Sequence, residues 1–416
     1  MLMLMLCLQI DSLSLDQALA RGLNVSPAYQ ESKVTLDKSR IAFFQSLCTL
    51  LPTVSTTGSY TMSEYPNVPT GPTERYSTNM NFSMPLFDLD VLGSILVSGL
   101  TWKSNRIQHR SDLTNLILQI KSAYYGLANA RELLRYSDIA IHRSDENLTL
   151  IKTKFELGAA SRLDLLQAEV LYLQTRQVKA RTKTQEITAQ EQLKSLLGQT
   201  RDVYPMDTLA VPRNLTFPPL DSLVENLDRV NYNLRLAREI ERAAKINLVT
   251  AYLAFVPRVS GFYGFSTSSE SLHTDLGWYP DNTTKNWGIS VSFPIFEIKD
   301  LVFKWLNARK DYQLKKLSRQ QTVLETVKAL RTTYYGLQES YENLQLSQRS
   351  YEAATEAANI AQEQYRLGAL SLINWLKVEG DMYTSKTAYS LALSEFFVQQ
   401  LNFSYLLGET TFNKEP

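Results

Sequence analysis

The sequence has no excess charge of either sign. Its 416 residues include 43 lysines and arginines against 42 aspartates and glutamates, so the formal net charge is +1. A chain balanced in this way produces no long-range field that would attract nucleic acid or an anionic surface. Nucleic-acid binding is therefore set aside as a function.

Cysteine and histidine are also scarce. The two cysteines, Cys7 and Cys48, cannot build a disulfide framework, and the three histidines are scattered at positions 109, 142 and 273. No nucleophile with a partner histidine, acid–base pair or phosphate-binding loop occurs at a usable spacing. The sequence therefore predicts neither an enzyme nor a resident metal or cofactor.

Long apolar runs are missing as well. The longest, Met1 to Leu8, is far shorter than the roughly 18 residues that a membrane-spanning helix needs. This run resembles the end of a secretory signal, but it lacks a basic segment and an A-x-A cleavage site, and Leu6 before Cys7 does not fit a lipoprotein signal. Residues 1–12 are interpreted as a signal remnant, with a truncated or misassigned start as the alternative.

What the sequence does have is a set of motifs that occurs twice, 210 residues apart. Such an internal repeat predicts that each copy is one structural unit, which leaves a face for the other copy to cover. We therefore divide the chain into a first repeat, residues 13–210, and a second repeat, residues 211–416. The repeated motifs are Tyr-Tyr-Gly-Leu at 124–127 and 334–337, Leu-Gly-Ala at 157–159 and 367–369, and Leu-Leu-Gly at 196–198 and 406–408.

Proline is absent from two stretches of about 120 residues, between Pro85 and Pro205 and between Pro294 and Pro416. Inside both stretches apolar residues recur at intervals of three and four, which is typical of long helices with a coiled-coil-like stripe. A core built around helices of this length has to be tubular. Each repeat is therefore predicted to contain a long helical arm.

Each arm is interrupted once by a turn signal. Gly158 and Gly368 can adopt a positive φ, and each is followed three residues later by a serine, Ser161 or Ser371, that can cap the next helix. The arms are therefore predicted to be helical hairpins with turns near residues 158 and 368.

The period of the apolar residues changes from 3.6 to 2 in two segments, which predicts β-hairpins at residues 53–84 and 258–293. One face of these strands carries serine, threonine and asparagine with few charges, whereas the other face is aromatic and aliphatic. A strand of a soluble sandwich also alternates, so the membrane interpretation depends on all four strands together. Four such strands joined by polar loops are typical of a water-filled lumen backed by lipid.

Four strands cannot close a barrel, and an open sheet edge is not stable in lipid. Oligomerisation is therefore expected to supply the remaining strands. Three chains would contribute twelve β-strands, and their six helical hairpins would bring twelve helical segments into one tube. Two chains would close a barrel of eight strands but leave too few helices for a wide channel. The predicted fold is mainly α, with a trimeric membrane β-barrel continued by a long α-helical barrel.

The order of these motifs resembles that of the TolC-like outer membrane efflux proteins. In both halves a helix ends at a proline, a strand hairpin follows, and a second proline leads into the long arm. The resemblance covers about residues 13 to 410, and it depends on the duplicated set in order rather than on any single motif. The residues that carry it are Pro52, Pro85, Pro257 and Pro294 around the strand segments, Tyr365–Gly368 at the second turn and Leu406–Gly408 near the C-terminus.

This resemblance implies a homotrimer with a twelve-stranded barrel in outer-membrane lipid and a long periplasmic α-helical barrel, in a Gram-negative bacterium. It implies passive export, driven by an inner-membrane transporter of the RND or ABC type and linked to it by a periplasmic adaptor protein. The expected function is the outer-membrane channel of a tripartite efflux or type I secretion system. A periplasmic or cytoplasmic coiled-coil scaffold is the alternative, which explains the arms but leaves the strands unexplained.

The two predicted turns are expected at the periplasmic tip, where the channel is narrowest and the adaptor docks. The docking surface implied by the resemblance comprises Leu157, Gly158, Ala159 and Ser161 in the first turn and Leu367, Gly368, Ala369 and Ser371 in the second.

Beyond the second turn, the best-known family member has acidic rings that constrict the entrance, and this sequence departs from that pattern. The corresponding residues are Asn374 and Lys377, and their equivalents in the first repeat are Asp164 and Gln167. We hypothesise that Asp164 and Lys377 pair across neighbouring hairpins and help to hold the tip shut. The alternative is that both are solvated charges on helix faces, and cation selectivity is not expected to carry over from the family.

Overall fold

The computed structural model describes residues 11–64, 72–206, 215–272, 282–293 and 298–408. Residues 1–10, on which the signal interpretation of segment 1–12 mainly depends, lie outside the described residues. The same holds for Cys7, His273, Pro294 and Pro416.

The described chain is mostly helical. Up to residue 206 its elements are β1 (Asp11–Leu13), α1 (Leu15–Val25), α2 (Pro27–Cys48), β2 (Thr53–Ser63), β3 (Thr73–Phe87), α3 (Leu89–Glu156), α4 (Arg162–Leu197) and β4 (Val203–Pro205). From residue 215 onward they are α5 (Leu220–Val230), α6 (Tyr232–Leu253), β5 (Arg258–Ser269), β6 (Thr284–Ser292), α7 (Ile298–Arg366) and α8 (Leu372–Leu406). No helix in the described ranges combines the length and the apolar character needed to cross a lipid bilayer.

Helices in corresponding positions of the two halves have nearly equal lengths. α1 and α5 each have 11 residues, and α2 and α6 each have 22. The long helices α3 and α7 have 68 and 69 residues, and α4 and α8 have 36 and 35. The long helical arms predicted from the absence of proline are therefore present.

The described residues fall into two compact units. One unit comprises those within Met1–Lys33, His109–Leu234 and Val323–Pro416, and the other comprises those within Val34–Gln108 and Arg235–Thr322. The first contains the helical hairpins and is called the hairpin unit below. The second contains the four long strands and is called the sheet unit.

The sheet unit contains an antiparallel sheet in the order β2-β3-β5-β6. Residues that lie opposite one another across the four strands form rows, and two neighbouring rows, one apolar and one small or polar, alternate as predicted. Val54 lies opposite Phe82, Phe82 opposite Tyr263, and Tyr263 opposite Trp287, so that one row is entirely apolar or aromatic. The adjacent row, on the other face of the sheet, consists of Ser55, Asn81, Gly264 and Asn286.

The strand β3 is longer than the predicted hairpin. It continues through Pro85 to Phe87 instead of ending at residue 84, and its register with β5 shifts between these two residues. A proline has no backbone N–H to donate, so it fits where the ladder of hydrogen bonds is interrupted. The proline therefore marks a bulge inside the strand rather than the end of the strand.

In the hairpin unit, buried hydroxyl groups pair between α3 and α4. The side-chain oxygens of Ser137 and Thr182 are 3.0 Å apart, and those of Ser144 and Thr175 are 2.7 Å apart. The second pair lies seven residues further along α3 and seven residues back along α4. The packing between these antiparallel helices therefore repeats every two turns.

The core of the hairpin unit also fixes the repeated tyrosines. The Tyr124 side chain is fully buried, and its hydroxyl donates to the backbone oxygen of Leu13 at 2.9 Å and accepts from the N–H of Met206 at 3.2 Å. The hydroxyl of Tyr334 donates to the backbone oxygen of Pro218 at 3.1 Å. In both halves, the first tyrosine of the motif thus fastens a neighbouring segment to a long helix.

Candidate functional site

The first turn of the hairpin unit joins α3 to α4. Gly158 has a φ of +74°, and its N–H donates to the oxygen of Phe155 at 3.0 Å, while the N–H of Ala159 donates to the oxygen of Lys154 at 2.7 Å. This is the Schellman arrangement, which satisfies the last carbonyl groups of a helix and favours glycine at the left-handed position. The turn signal in the sequence therefore has a direct structural cause.

A capping box starts α4 directly after this turn. The Ser161 hydroxyl accepts from the N–H of Asp164 at 3.1 Å. In return, Oδ2 of Asp164 accepts from the Ser161 hydroxyl at 2.7 Å and from the Ser161 N–H at 2.9 Å. The hydroxyl of Ser161, followed by its backbone N–H, lowers the pKa of the Asp164 carboxyl. The gate residue proposed from the sequence is thus also a helix cap, which the Ser-x-x-Asp spacing could have indicated.

The second turn, between α7 and α8, has the same backbone. Gly368 has a φ of +74°. Its N–H donates to the backbone oxygen of Tyr365 at 3.1 Å, and the N–H of Ala369 donates to that of Gln364 at 2.8 Å. The Ser371 hydroxyl accepts from the N–H of Asn374 at 3.4 Å. Within the described residues the Asn374 side chain returns no bond to Ser371, so this cap lacks the reciprocal half.

Both turns present leucine to solvent. The exposed fraction is 78% for Leu157 and 82% for Leu367. The neighbouring residues of the predicted docking surface, Ala159, Ser161, Ala369 and Ser371, are exposed as well. Each tip is thus a small, mainly apolar surface without charge at its apex.

Residues just behind the tips pack into one cluster. Its buried members are Ile151 of α3, Ala168 of α4 and Leu372 of α8. Tyr365 stacks on Trp375 with ring centroids 4.5 Å apart, and the Lys154 ammonium lies 4.9 Å from the Tyr365 centroid. The two helical hairpins are therefore joined at this end of the hairpin unit.

The four predicted gate residues are distributed over α4 and α8. Gln167 and Lys377 line one groove between these helices, together with apolar side chains of both. Asn374 and Lys377 are exposed, whereas Asp164 is partly covered by its cap. Among the described residues, Asp164 and Lys377 form no ion pair with each other, and Oδ1 of Asp164 accepts no hydrogen bond.

The sequence reasoning missed two buried charges on α8. The Glu379 side chain is 7% exposed, and its carboxylate lies 3.7 Å from the Arg143 guanidinium on α3. The Lys386 ammonium lies 3.8 Å, 4.7 Å and 5.4 Å from the ring centroids of Tyr136, Tyr351 and Tyr389. Burial lowers the pKa of Lys386 and raises that of Glu379. Leu372, Glu379 and Lys386 follow one another at intervals of seven residues, and this heptad spacing was the available signal.

The sequence model of the family described as outer membrane efflux protein matches this chain twice, over residues 15–199 and 223–409. The chain therefore belongs to the outer membrane efflux protein family.

Named relatives and solved structures agree with this assignment. The probable efflux pump outer membrane protein TtgC of Pseudomonas putida is 24% identical over 399 residues, which cover 90% of this chain and 78% of the relative. Outer membrane protein TolC of Escherichia coli K12 is 22% identical over 433 residues, with 95% and 84% covered. The outer-membrane channel OprN has the same fold, with a TM-score of 0.83 and 19% identity over 95% of this chain and 89% of its own.

Family membership confirms the resemblance stated from the motifs. The protein is an outer membrane efflux protein of the kind found in Gram-negative bacteria, and its family consists of efflux conduits rather than enzymes. The coiled-coil scaffold, which was the alternative, is set aside.

Proposed function

We propose that this protein is the outer-membrane channel of a tripartite efflux or type I secretion system, acting as a passive trimeric conduit. One observation carries the proposal: a four-stranded sheet with one polar and one apolar face, whose outer strands β2 and β6 each have a single partner within the described residues. Three copies would close twelve strands into a barrel with its hydroxyl-rich face toward water and its apolar face toward outer-membrane lipid.

In this proposal the chain is a duplicated unit, with repeats at residues 13–210 and 211–416. The paired helix lengths and the double match to the family support it. Three chains then contribute six similar helical hairpins, and these form a periplasmic α-helical barrel that continues the β-barrel.

The tips of the hairpins are the proposed docking surface for a periplasmic adaptor protein, which links the channel to an inner-membrane transporter of the RND or ABC type. The exposed Leu157 and Leu367 support this assignment, because an apolar apex can be buried by a partner without breaking an existing polar contact. The surface includes Gly158, Ala159 and Ser161 of the first turn and Gly368, Ala369 and Ser371 of the second.

The proposed gate consists of Asp164, Gln167, Asn374 and Lys377, directly behind the tips. Both cap bonds that the Asp164 carboxylate accepts go to Oδ2, so Oδ1 can accept a hydrogen bond from the Lys377 ammonium group of a neighbouring hairpin. Such a wetted pair contributes only about 0.2–1 kcal/mol, but three copies would act together.

The conduit is tested by extraction and by conductance. We expect a trimer that is released from membranes only by detergent and that forms stable pores in planar bilayers. A monodisperse protein that is soluble without detergent and forms no pores would contradict the proposal.

The gate is tested separately with Asp164→Ala and Lys377→Ala channels. Loss of the pair is expected to raise conductance, and each variant should shift ion selectivity in the opposite direction because one removes a negative and the other a positive charge. Wild-type conductance and selectivity in both variants would eliminate the paired gate while leaving the conduit intact.

A further inference from the structure

The contact between the two helical hairpins is polar in three successive layers. In the first, the Asn129 side-chain amide donates to the backbone oxygen of Ser390 at 3.1 Å, and the Ser390 hydroxyl bonds to Asn129 Oδ1. The next layers, each seven residues further along α3, place Tyr136 against Lys386 and then Arg143 against Glu379. Buried polar layers specify register at a cost in stability, so this interface is weaker than an apolar one.

The third layer surrounds a small cavity, large enough for a single water molecule. Its wall includes the Glu379 carboxylate, Arg143, and three buried polar atoms without a hydrogen bond in the described chain, namely Oδ1 of Asn147, Nε1 of Trp375 and the hydroxyl of Tyr383. A buried carboxylate beside unsatisfied polar atoms is an environment in which a proton changes the stability of the contact.

Few charged groups face Glu379. α3 contributes Arg143, whose side chain is 42% exposed, and α8 contributes the hydroxyl of Tyr383, while the cavity residue from α4 is Leu171. Burial raises the pKa of Glu379, and the attraction of Arg143 together with the nearby Tyr383 hydroxyl opposes this shift only in part. The single partly solvated cation does not replace the hydration that the carboxylate loses.

We propose that Glu379 is a proton-binding site in the interface between the two helical hairpins, and that protonation of Glu379 holds α8 against α3. Separation of the helices returns the carboxyl to water and to its ordinary pKa. The closed contact therefore binds the proton more tightly than the open one, and it is stabilised as the pH falls through the raised pKa. Above that pKa, the ionised carboxylate favours separation.

Hydrogen exchange across α8 tests this directly and does not require channel activity. Protection factors of the peptide amides at residues 376–390, corrected for intrinsic exchange, are measured in detergent between pH 5 and pH 8. Protection should fall with rising pH in the wild type, by at most about tenfold for each unit by which the closed and open pKa values differ, because the range starts above the ordinary glutamate pKa of about 4.3. Lys386 cannot produce this trend, because its lowered pKa makes the closed contact more stable as the pH rises.

Three variants sharpen the test. Glu379→Gln should give high, pH-independent protection in this range. Arg143→Gln should move the transition to higher pH, because it removes the cation that favours the ionised form. Glu146→Gln, which alters an exposed carboxylate one turn away on α3, should behave as the wild type. Protection that does not change with pH in the wild type, or a pH profile that Glu379→Gln leaves intact, would overturn the proposal.

The consequence for transport rests on the proposed channel function. If the hairpins separate when the channel opens, Glu379→Gln should lower the open probability in bilayers at pH 8 but not at pH 5. Absence of pores in the wild type would count against the channel and leave the exchange result standing. Pores with the same open probability in both proteins at pH 8 would contradict the role of Glu379 in opening.

Discussion

The two hairpin tips have the same backbone but different polar side chains. Both turns place glycine at a φ of +74° and expose a leucine, and both start the next helix with a serine cap. Only the first tip closes a reciprocal capping box through Asp164, because Asn374 in the second returns no bond. The two turns thus share one backbone and one type of cap, although the residues that follow the caps differ in charge.

The largest effect is expected from replacement of the turn glycines. An added Cβ at Gly158 or Gly368 would meet no atom within 4 Å, so Gly→Ala isolates the cost of the positive φ, about 1–2 kcal/mol. Protection of the adjoining helix ends from hydrogen exchange should fall by about 5- to 30-fold, and equally at both tips. Gly126→Ala is the control, since that helical glycine also has open space around its Cβ position and alanine should stabilise it. Unequal losses at the two tips would show that their backbones are not equivalent.

Removal of the serine caps should destabilise the two tips to different extents. Ser161→Ala removes a cap worth about 1 kcal/mol and also the hydroxyl bond to Asp164, whereas Ser371→Ala removes a longer, one-way bond. Exchange protection in the first turn of α4 should therefore fall more than that in the first turn of α8. Equal losses would mean that the reciprocal bond does not stabilise the first tip.

A smaller effect is expected from an exchange of the two polar residues. Asn374→Asp places a carboxylate at the start of α8 and should stabilise that helix end by about 0.3–1 kcal/mol at low salt, and Asp164→Asn should weaken the start of α4 by a similar amount. The same exchange measurement at low and high salt checks both. If neither change responds to salt, the charge of Asp164 has no part in capping.

The smallest effect is the pH dependence of the first tip. Because Ser161 lowers the pKa of Asp164, the stabilisation is fully present above the ordinary aspartate pKa of about 3.9 and is lost as the pH falls through the lowered value. On acidification, the first tip should lose protection while the second, with Asn374, should not. Persistence of this loss in Asp164→Asn would assign it to another group.

Features that depend on local backbone chemistry could be predicted from the sequence. The turn at Gly158, the cap at Ser161 and the alternating rows of the sheet follow from positive φ, side-chain capping and the period of two. The passage of β3 through Pro85 could not be predicted, because a bulge depends on the register with β5. The burial of Glu379 was also missed, because a charged side chain in a helix usually indicates a solvated face, and only the tertiary contact with α3 covers it.

The paired hydroxyls between α3 and α4 have a consequence for how the length of the arms can change. Since Ser137 meets Thr182 and Ser144 meets Thr175, an inserted residue in one helix would move every layer beyond it out of alignment with the other. Only an insertion of seven residues in each helix would restore the pairs with side chains on the same faces. An arm can therefore be lengthened or shortened only by whole heptads in both helices at once, so its length changes in steps of about 10 Å.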